Sequence, residues 1–304
     1  LTTQIGTISS DIQLKQKSKD IPVTYKGNLK AEQFDLGLYY GLDDVMRKIS
    51  LDIDIEGKGL KMSNINTEIK GKVYSFEFQK YNYKNIDVKG NFAKNIFTGQ
   101  FAVEDENVAL NFDGDIDLTG DLPYLNFSST IRKADLSNLN LFKTKNKINF
   151  STLAKVEISG DDIDNLQGTI RLSNTHLIQN EKSVDIENFE LNSSITKESR
   201  SIKLLSDFAD AEIKGQFALQ KLKPAIEKMI SQYLPAIIPK DKKWNDTPAQ
   251  NFEFSLITKQ SEAISLVMLE NLCLHRGSLL NGSFNSINNE FNFNFSAPEI
   301  DIAG

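Results

Sequence analysis

The residue types that most often carry enzyme chemistry are scarce in this chain of 304 residues. Its two histidines, His176 and His275, fall in separate strand-like regions. A Ser-His-Asp mechanism needs a nucleophile held beside the histidine base, and the sequence contains no nucleophile-elbow pattern. Gly57-Lys58-Gly59 lacks the spacing, and the Ser or Thr after lysine, of a phosphate-binding loop. The sequence therefore predicts a protein that is not an enzyme.

A run of alternating carboxylates is the best candidate for a metal site. Asp113, Asp115 and Asp117 could begin a calcium loop, but an EF-hand needs glycine at the sixth place and glutamate at the twelfth. Those places hold Leu118 and Tyr124. Because alternate residues of a strand point to one side, we interpret the carboxylates as a solvated face, with a bound surface ion as the alternative. The sequence predicts no metal and no cofactor.

Cysteine content and charge narrow the possible sites and partners further. Cys273 is the one cysteine in the sequence, so the chain cannot form an internal disulfide or a cysteine metal cluster. We interpret it as a small buried hydrophobic residue. The formal net charge is -6, and no basic patch stands out in the sequence, which argues against nucleic acid as a partner.

Apolar and polar residues alternate over most of the chain, most clearly over 85–142. A period of two places every second side chain on one face of a strand, and turn signals recur about every 8–12 residues. This pattern predicts an all-β protein with a meander of about 15–20 antiparallel strands. A glycine phrase recurs in it, and glycine inside a strand indicates a bulge, a bend or a close approach. The phrase appears as Lys89-Gly90-Asn91-Phe92, Thr98-Gly99-Gln100-Phe101 and Asp113-Gly114-Asp115-Ile116.

Two segments depart from the strand pattern. Over 219–239 the apolar residues follow helical spacing, which predicts one inserted amphipathic helix with Pro224 in its first turn. We interpret this helix as a cap on the apolar face, with an interfacial membrane helix as the alternative. A short helical turn is predicted over Gly41–Ile49, where acidic residues precede basic ones. The chain is thus divided into a β-groove segment 1–218, the helix, and a second β-groove segment 240–304.

The apolar face of so long a meander needs a cover. Open twisted sheets of more than about 10 strands curl or split, and one helix cannot cover them. The residues leave three solutions open: closed barrels, packed sandwiches, or a sheet that curls lengthwise into a gutter with a partly open apolar inside. An open apolar face would exceed the few hundred Å² that proteins normally expose, so it would need an apolar ligand or a partner.

A set of spaced residues forms a recognisable pattern in the middle of the chain. It reads Tyr83-x-Asn85-Ile86-x-Val88-x-Gly90, Phe97-x-Gly99-x-Phe101, Asp105-x-Asn107, Phe112-x-Gly114-x-Ile116-Asp117-Leu118, Pro123 and Ala134-Asp135-Leu136-x-x-Leu139. The tail has a similar texture in Gly277-x-Leu279-x-x-Gly282-x-Phe284-Asn285. This pattern resembles the periplasmic repeat region of the TamB/AsmA-like family of Gram-negative bacteria.

The resemblance implies a long curled antiparallel β-sheet, or β-taco, whose repeating β-groove carries phospholipid across the periplasm from the inner to the outer membrane. It also implies an inner-membrane anchor and an Omp85-type outer-membrane barrel as a partner. The chain starts and stops within strand patterns, and it contains neither a signal peptide nor an apolar run of about 20 residues. We therefore interpret it as an internal segment, and we expect the N-terminal anchor and the C-terminal partner-binding region outside it.

On this basis we expect a non-enzymatic segment of a lipid conduit, whose alternating apolar side chains bind phospholipid acyl chains. The predicted lining residues are Leu51, Ile53, Ile55, Phe76, Phe78, Phe101, Val108, Leu110, Phe112, Phe252, Phe254, Phe291, Phe293 and Phe295. Two alternatives are a chaperone that binds unfolded outer-membrane strands by strand addition, and a structural or adhesive surface protein built of sealed β-sandwiches.

Overall fold

The computed structural model describes residues 2–18, 20–140, 146–233, 248–260 and 272–302. Most of these residues lie in strands, which confirms the all-β prediction. The strands are β1 (Thr2–Thr3), β2 (Gly6–Lys15), β3 (Thr24–Asp35), β4 (Met46–Lys58), β5 (Asn66–Phe78), β6 (Tyr81–Ala93), β7 (Ile96–Glu104), β8 (Val108–Asp117), β9 (Tyr124–Asp135), β10 (Ile148–Ser159), β11 (Gln167–Gln179), β12 (Lys182–Ile195), β13 (Arg200–Ser206), β14 (Ala209–Gln216), β15 (Asn251–Thr258), β16 (Leu272–Leu274), β17 (Leu279–Asn285), β18 (Glu290–Ser296) and β19 (Ile300–Ile302). The helices in the described residues are α1 (Leu36–Tyr40) and α2 (Leu219–Tyr233).

The chain divides into two compact units. Unit 1 comprises Leu1–Val156 and Asn174–Ser183, and unit 2 comprises Glu157–Ser173 and Val184–Gly304. Strands β10, β11 and β12 therefore each contribute residues to both units.

Unit 1 is built on an antiparallel meander in which each strand from β2 to β9 pairs with the next one along the chain. Two-residue turns make the tightest connections. Gln79 and Lys80 join β5 to β6, while Lys94 and Asn95 join β6 to β7, and all four residues have positive φ. Positive φ at both central residues matches the twist of the flanking strands, so these turns fix the register of the hairpins.

The most deeply buried cluster of unit 1 lies where β7, β8 and β9 meet. Val103, Val108, Ala134 and Leu139 are each at most 5% exposed. Val103 and Ala134 are each the last residue but one of their strands, β7 and β9, and Val108 begins β8. The cluster therefore anchors the turns at that end of the sheet.

Unit 2 repeats the antiparallel design. Strands β12, β13, β14, β15, β17 and β18 pair in that order. Strands β16 and β19 pair separately as a two-stranded ribbon. A second buried cluster contains Ile186, Phe208 and Ala209, and partly buried apolar residues of β12, β13 and β15 pack against it.

The predicted helical turn over Gly41–Ile49 is wrong. Helix α1 instead covers Leu36–Tyr40, directly before that segment. Asp35 caps its first turn by accepting a hydrogen bond from a backbone N–H at 3.0 Å, and Gly41 ends it with a left-handed φ of 70°. Strand β4 then begins at Met46, so the charged residues between them lie in a turn and the start of a strand.

Helix α2 is described over Leu219–Tyr233, and the remainder of the predicted range 219–239 lies outside the described residues. Pro224 lies inside the helix, beyond its first turn, so its predicted place is wrong. The helix begins at Leu219, the predicted start, where a carboxylate oxygen of Asp164 accepts a hydrogen bond from the Leu219 N–H at 2.5 Å. The division of the chain into three segments stays a prediction.

Candidate functional site

One face of the unit 1 sheet is predominantly apolar. Residues that lie directly opposite each other in neighbouring strands point to the same side, so the register gives rows of neighbours across β2–β9. We call the surface made by three such rows the apolar face of unit 1. The first row contains Ile8, Ala31, Leu51, Val73, Ile86, Val103, Leu110 and Ile131. The second contains Ser10, Leu29, Ile53, Gly71, Val88, Phe101, Phe112 and Ser129. The third contains Ile12, Gly27, Ile55, Ile69, Gly90, Gly99, Gly114 and Phe127.

The lining residues predicted in the first half of the chain gather on or beside this face. Six of them belong to the three rows, namely Leu51, Ile53, Ile55, Phe101, Leu110 and Phe112. Phe76 pairs with Tyr83, Phe78 with Tyr81, and Val108 with Ala134. Both tyrosines, Val108 and Ala134 pack in the cluster around Val103 of the first row. Contact of these residues with lipid stays a prediction.

Much of the apolar face of unit 1 keeps contact with solvent. Ile53 and Phe112 are 8% and 7% exposed. Leu51, Ile55 and Phe101 are only half-buried, although they lie in the same rows. Residues in a sealed sheet sandwich would be buried throughout the face. The partial exposure leaves apolar surface within reach of a ligand.

The third row contains a line of glycines that the sequence alone did not place together. Gly90 pairs with Gly99, and Gly99 pairs with Gly114. A Cβ at Gly99 would lie 2.4 Å from the Gly90 Cα, and one at Gly90 would lie 2.7 Å from the ring of Phe97. Only glycine permits so close an approach of two strands with a ring above them. The recurring glycine phrase marked these positions in the sequence, but only the register of the strands shows that the glycines are neighbours.

The opposite face of unit 1, which we call the polar face, carries charged residues in ion pairs. Lys26 Nζ lies 2.6 Å from a Glu56 carboxylate oxygen, and Lys30 Nζ lies 2.7 Å from one of Asp52. Hydrogen bonds from Lys30 and then Asn28 hold the pKa of Asp52 below its usual value. The same contact with Asp52 raises the pKa of Lys30. These pairs are exposed, so they define a hydrated side of the sheet more than they stabilise it.

The alternating carboxylates of β8 belong to this polar face. Asp113 accepts a hydrogen bond from Gln100 Nε2 at 2.9 Å, and Asp115 lies two residues further along the same side. Asp117 accepts hydrogen bonds from the Thr119 hydroxyl at 2.6 Å and its N–H at 2.8 Å, which lower the pKa of that carboxyl. Among the described residues, no group of three or more His, Cys, Asp or Glu side chains could hold a metal ion. The neutral donors support the interpretation as a solvated face.

The lining residues predicted in the second half of the chain share one face of the unit 2 sheet. Its rows are Phe252, Phe284 and Phe291; Phe254, Gly282 and Phe293; and Leu256, Leu280 and Phe295. Phe291, Phe293 and Phe295 are 41%, 58% and 41% exposed. The ring centroids of Phe291 and Phe293 lie 5.7 Å apart. This face, the apolar face of unit 2, therefore presents aromatic surface to solvent along β18.

Helix α2 covers the part of the apolar face of unit 2 that lies on β15 and β17. Ala225 and Met229 pack against Phe252 and Phe284, which are 6% and 0% exposed. Leu222 and Ile226 are partly buried against the same cluster. The helix thus buries the rings of β15 and β17 and leaves those of β18 exposed.

An ion pair between a buried arginine and a partly exposed aspartate fixes the start of α2, and it could not be predicted from the sequence. Arg200 is 5% exposed, and its Nη1 lies 3.3 Å from an oxygen of Asp164, the carboxylate that caps the helix. Its Nη2 donates to the Ile163 carbonyl at 2.6 Å, and its guanidinium carbon lies 5.3 Å from the centroid of the Phe217 ring. These contacts compensate in part for burying the charge on an apolar face, while the Nε of Arg200 is buried without a hydrogen-bond partner among the described residues.

The two histidines belong to different units of the chain. His176 is exposed on β11 within unit 1, whereas His275 belongs to unit 2, with its Nδ1 3.9 Å from an oxygen of Glu299. Cys273 lies on β16 and pairs in register with Asp301.

Comparison of the chain with protein-family models, with curated proteins and with solved structures finds no match. The resemblance to the TamB/AsmA-like family therefore rests on the residue pattern described above. Within the described part of the chain, neither helix has the length and apolar character needed to cross a membrane.

Proposed function

We propose that this chain is a non-enzymatic segment of a lipid conduit, in which the apolar face of unit 1 binds phospholipid acyl chains. The observation that carries the proposal is the in-register apolar face across eight strands, on which Leu51, Ile55 and Phe101 remain half-buried. A face of this kind loses free energy by taking up an apolar ligand. The charged polar face keeps the other side of the same strands in water.

The dimensions of the face suit an acyl chain. Neighbouring strands lie about 4.8 Å apart, so the rows from β2 to β9 extend over roughly 34 Å. This is longer than one leaflet of a bilayer, which is about half of the ~30 Å hydrocarbon core. Each buried methylene contributes about 0.8 kcal/mol without directional contacts. A chain held in this way can slide along the rows, as transport requires.

Helix α2 has a supporting role in the proposal. It covers Phe252 and Phe284 and leaves Phe293 exposed, so it limits how much of the apolar face of unit 2 a lipid can reach. We propose that it acts as an inserted amphipathic cap. Phe291, Phe293 and Phe295 are then the acyl-chain contacts of unit 2.

The cellular setting of the proposal follows from the family resemblance. On that basis we propose that the segment lies in the periplasm, between an inner-membrane anchor and an Omp85-type outer-membrane barrel, with phospholipid moving towards the outer membrane. The chaperone and adhesive alternatives use no bound lipid, so lipid content separates them from the conduit.

Native mass spectrometry of the purified chain tests the proposal, using a pair of matched variants. Ile69 and Lys70 are consecutive on β5 and point to the apolar and polar faces respectively. Ile69→Glu places a charge among the acyl chains and is expected to abolish most of the bound phospholipid, because burying an unpaired charge is costly. Lys70→Glu changes the net charge of the chain more than Ile69→Glu does, but it is expected to leave lipid binding unchanged.

Circular dichroism must first show that both variants retain the strand content of the wild type. Wild-type protein free of lipid, or equal lipid loss in the two variants, would overturn the proposal. Bound peptide instead of lipid would favour the chaperone.

A further inference from the structure

Two neighbouring turns at one end of the unit 1 sheet carry lysines and exposed apolar residues. One turn joins β2 to β3, and the other joins β4 to β5. We call the surface that they form the basic end. It consists of Lys15, Lys17, Ile21, Lys58, Leu60, Lys61 and Met62.

Backbone pairing holds the two turns side by side. Thr24 at the start of β3 pairs with Lys15 on one side and with Lys58 on the other. The Gly59 N–H also donates a hydrogen bond to the Val23 carbonyl at 2.8 Å. Lysines that are more than forty positions apart in the sequence therefore share one surface.

The β4–β5 turn is built to project its tip. Gly59 has a φ of 81°, and a Cβ there would lie 2.1 Å from the Asn64 carbonyl oxygen, so the position needs glycine. The Asn64 side-chain oxygen accepts a hydrogen bond from the Lys61 N–H at 3.1 Å, and the Asn64 N–H donates to the Lys61 carbonyl at 2.9 Å. This closed turn holds Leu60 and Met62 outwards on either side of Lys61.

The basic end is positively charged although the chain as a whole has a net charge of -6. Asp20 is the one acidic residue in the described part of the two turns. Within the same described part, none of the four lysines takes part in an ion pair. Their ammonium groups are therefore available to an anionic surface.

Apolar side chains lie between these lysines. Leu60 is 64% exposed, Met62 is 51% exposed and Ile21 is 46% exposed. Single exposed apolar residues are common on proteins. Three of them on adjacent turns, interleaved with lysines, have the composition of a surface that enters the boundary between lipid headgroups and acyl chains.

We propose that the basic end docks on an anionic phospholipid membrane, with its lysines at the headgroups and Ile21, Leu60 and Met62 inserted just below them. A nucleic acid would fit less well, because it offers no apolar phase, and the basic end has no aromatic ring on which a base could stack. The basic end is a turn surface, and its docking does not depend on lipid binding to the apolar face of unit 1. Either proposal can fail without the other.

Flotation of the purified chain with vesicles tests the docking. One set of vesicles contains phosphatidylcholine with phosphatidylglycerol, and the other contains phosphatidylcholine alone. Lys58→Gln with Lys61→Gln should weaken binding to the anionic vesicles by about 25-fold, since each surface lysine contributes about 1 kcal/mol, or roughly fivefold. Leu60→Ser with Met62→Ser should weaken it by at least about tenfold.

The matched control is Lys70→Gln with Lys89→Gln. These lysines pair with each other on the polar face, and their replacement gives the same change in net charge. This control is expected to bind like the wild type. Binding of the wild type should also fall sharply between 0.1 M and 1 M salt, as the screening length drops from about 10 Å to about 3 Å.

Three results would overturn the proposal: no flotation of the wild type, equal flotation with both kinds of vesicle, or equal losses in the basic-end and control variants. Salt-dependent binding to single-stranded RNA without vesicle flotation would replace the membrane by a nucleic acid. Native mass spectrometry of the Lys58→Gln, Lys61→Gln variant distinguishes failure of the docking proposal from failure of the conduit proposal. The amount of lipid bound to the apolar face of unit 1 should be unchanged in this variant.

Discussion

Replacement of Phe112 by alanine tests whether stacked rings hold the apolar face of unit 1 together. Phe112 is 7% exposed, and its ring centroid lies 4.4 Å from that of Phe101 and 4.8 Å from that of Phe127. Loss of a buried phenylalanine ring costs about 3–5 kcal/mol, and each ring pair adds about 0.5–1.5 kcal/mol beyond its buried area. Since Phe112 is nearly buried and stacks on both sides, we expect Phe112→Ala to lower the free energy of unfolding by about 4 kcal/mol.

Phe293 provides the internal comparison. It also lies on a predicted lining surface, but it is 58% exposed, so most of its apolar area is in water before the substitution. We therefore expect Phe293→Ala to cost only about 1 kcal/mol.

Hydrogen exchange followed by mass spectrometry gives the local readout. Amides of β7, β8 and β9 should exchange much faster in Phe112→Ala, whereas Phe293→Ala should affect only the peptides of unit 2 strands near β18. Urea unfolding followed by circular dichroism gives the size of each effect. Equal losses of stability in the two variants, or unchanged exchange in β8 of Phe112→Ala, would refute the reasoning.

Three further predictions concern single positions. Gly99→Val should destabilise unit 1 by more than about 2 kcal/mol in urea unfolding, because its Cβ would lie 2.4 Å from the facing glycine; a neutral outcome would contradict the close approach of β6 and β7. Burial and a hydrogen bond to Asp105 raise the pKa of Tyr81 to about 12, so its stabilisation is complete below its unfolded pKa of about 10 and is lost as pH rises through 12. Wild type and Tyr81→Phe should therefore differ by about 1–2 kcal/mol less at pH 12 than at pH 9, and a constant difference would argue against the shift. Asp164→Ala should lower the free energy of unfolding by about 2–4 kcal/mol and speed amide exchange in α2, because it removes the cap of Leu219 and the carboxylate partner of a buried arginine. Unchanged exchange in α2 would show that Asp164 does not cap the helix.

The faces of the strands could be predicted from the sequence because alternation determines them locally. Ile53 and Ile55 point to one side while Asp52 and Asp54 point to the other, as the period of two requires. Long runs of this kind need no knowledge of the partner strand. The all-β class follows from the same pattern.

Features that depend on the register could not be predicted. Gly90, Gly99 and Gly114 become neighbours only because the two-residue turn at Lys94 and Asn95 and the longer turn after β7 set particular pairings. A change of one residue in either turn would separate them. The repeated glycine phrase indicated a backbone role without showing that the glycines meet.

Contacts between segments that are far apart in the sequence could not be predicted either. The basic end needs Lys15 and Lys61, which come together only when β3 lies between β2 and β4. The end of a short helix depends on local capping, and the charge order over 41–49 gave the wrong place because Asp35 and Gly41 form a better pair of caps upstream.

Site-specific photocrosslinking in a Gram-negative host tests the central claim most directly. A photoreactive amino acid is placed at Leu110 or at Asn111, which are consecutive on β8 and point to the apolar and polar faces of unit 1. We predict that phospholipid is captured from position 110 and not from position 111. Capture of phospholipid from neither position, or equally from both, would contradict the claim that acyl chains bind the apolar face.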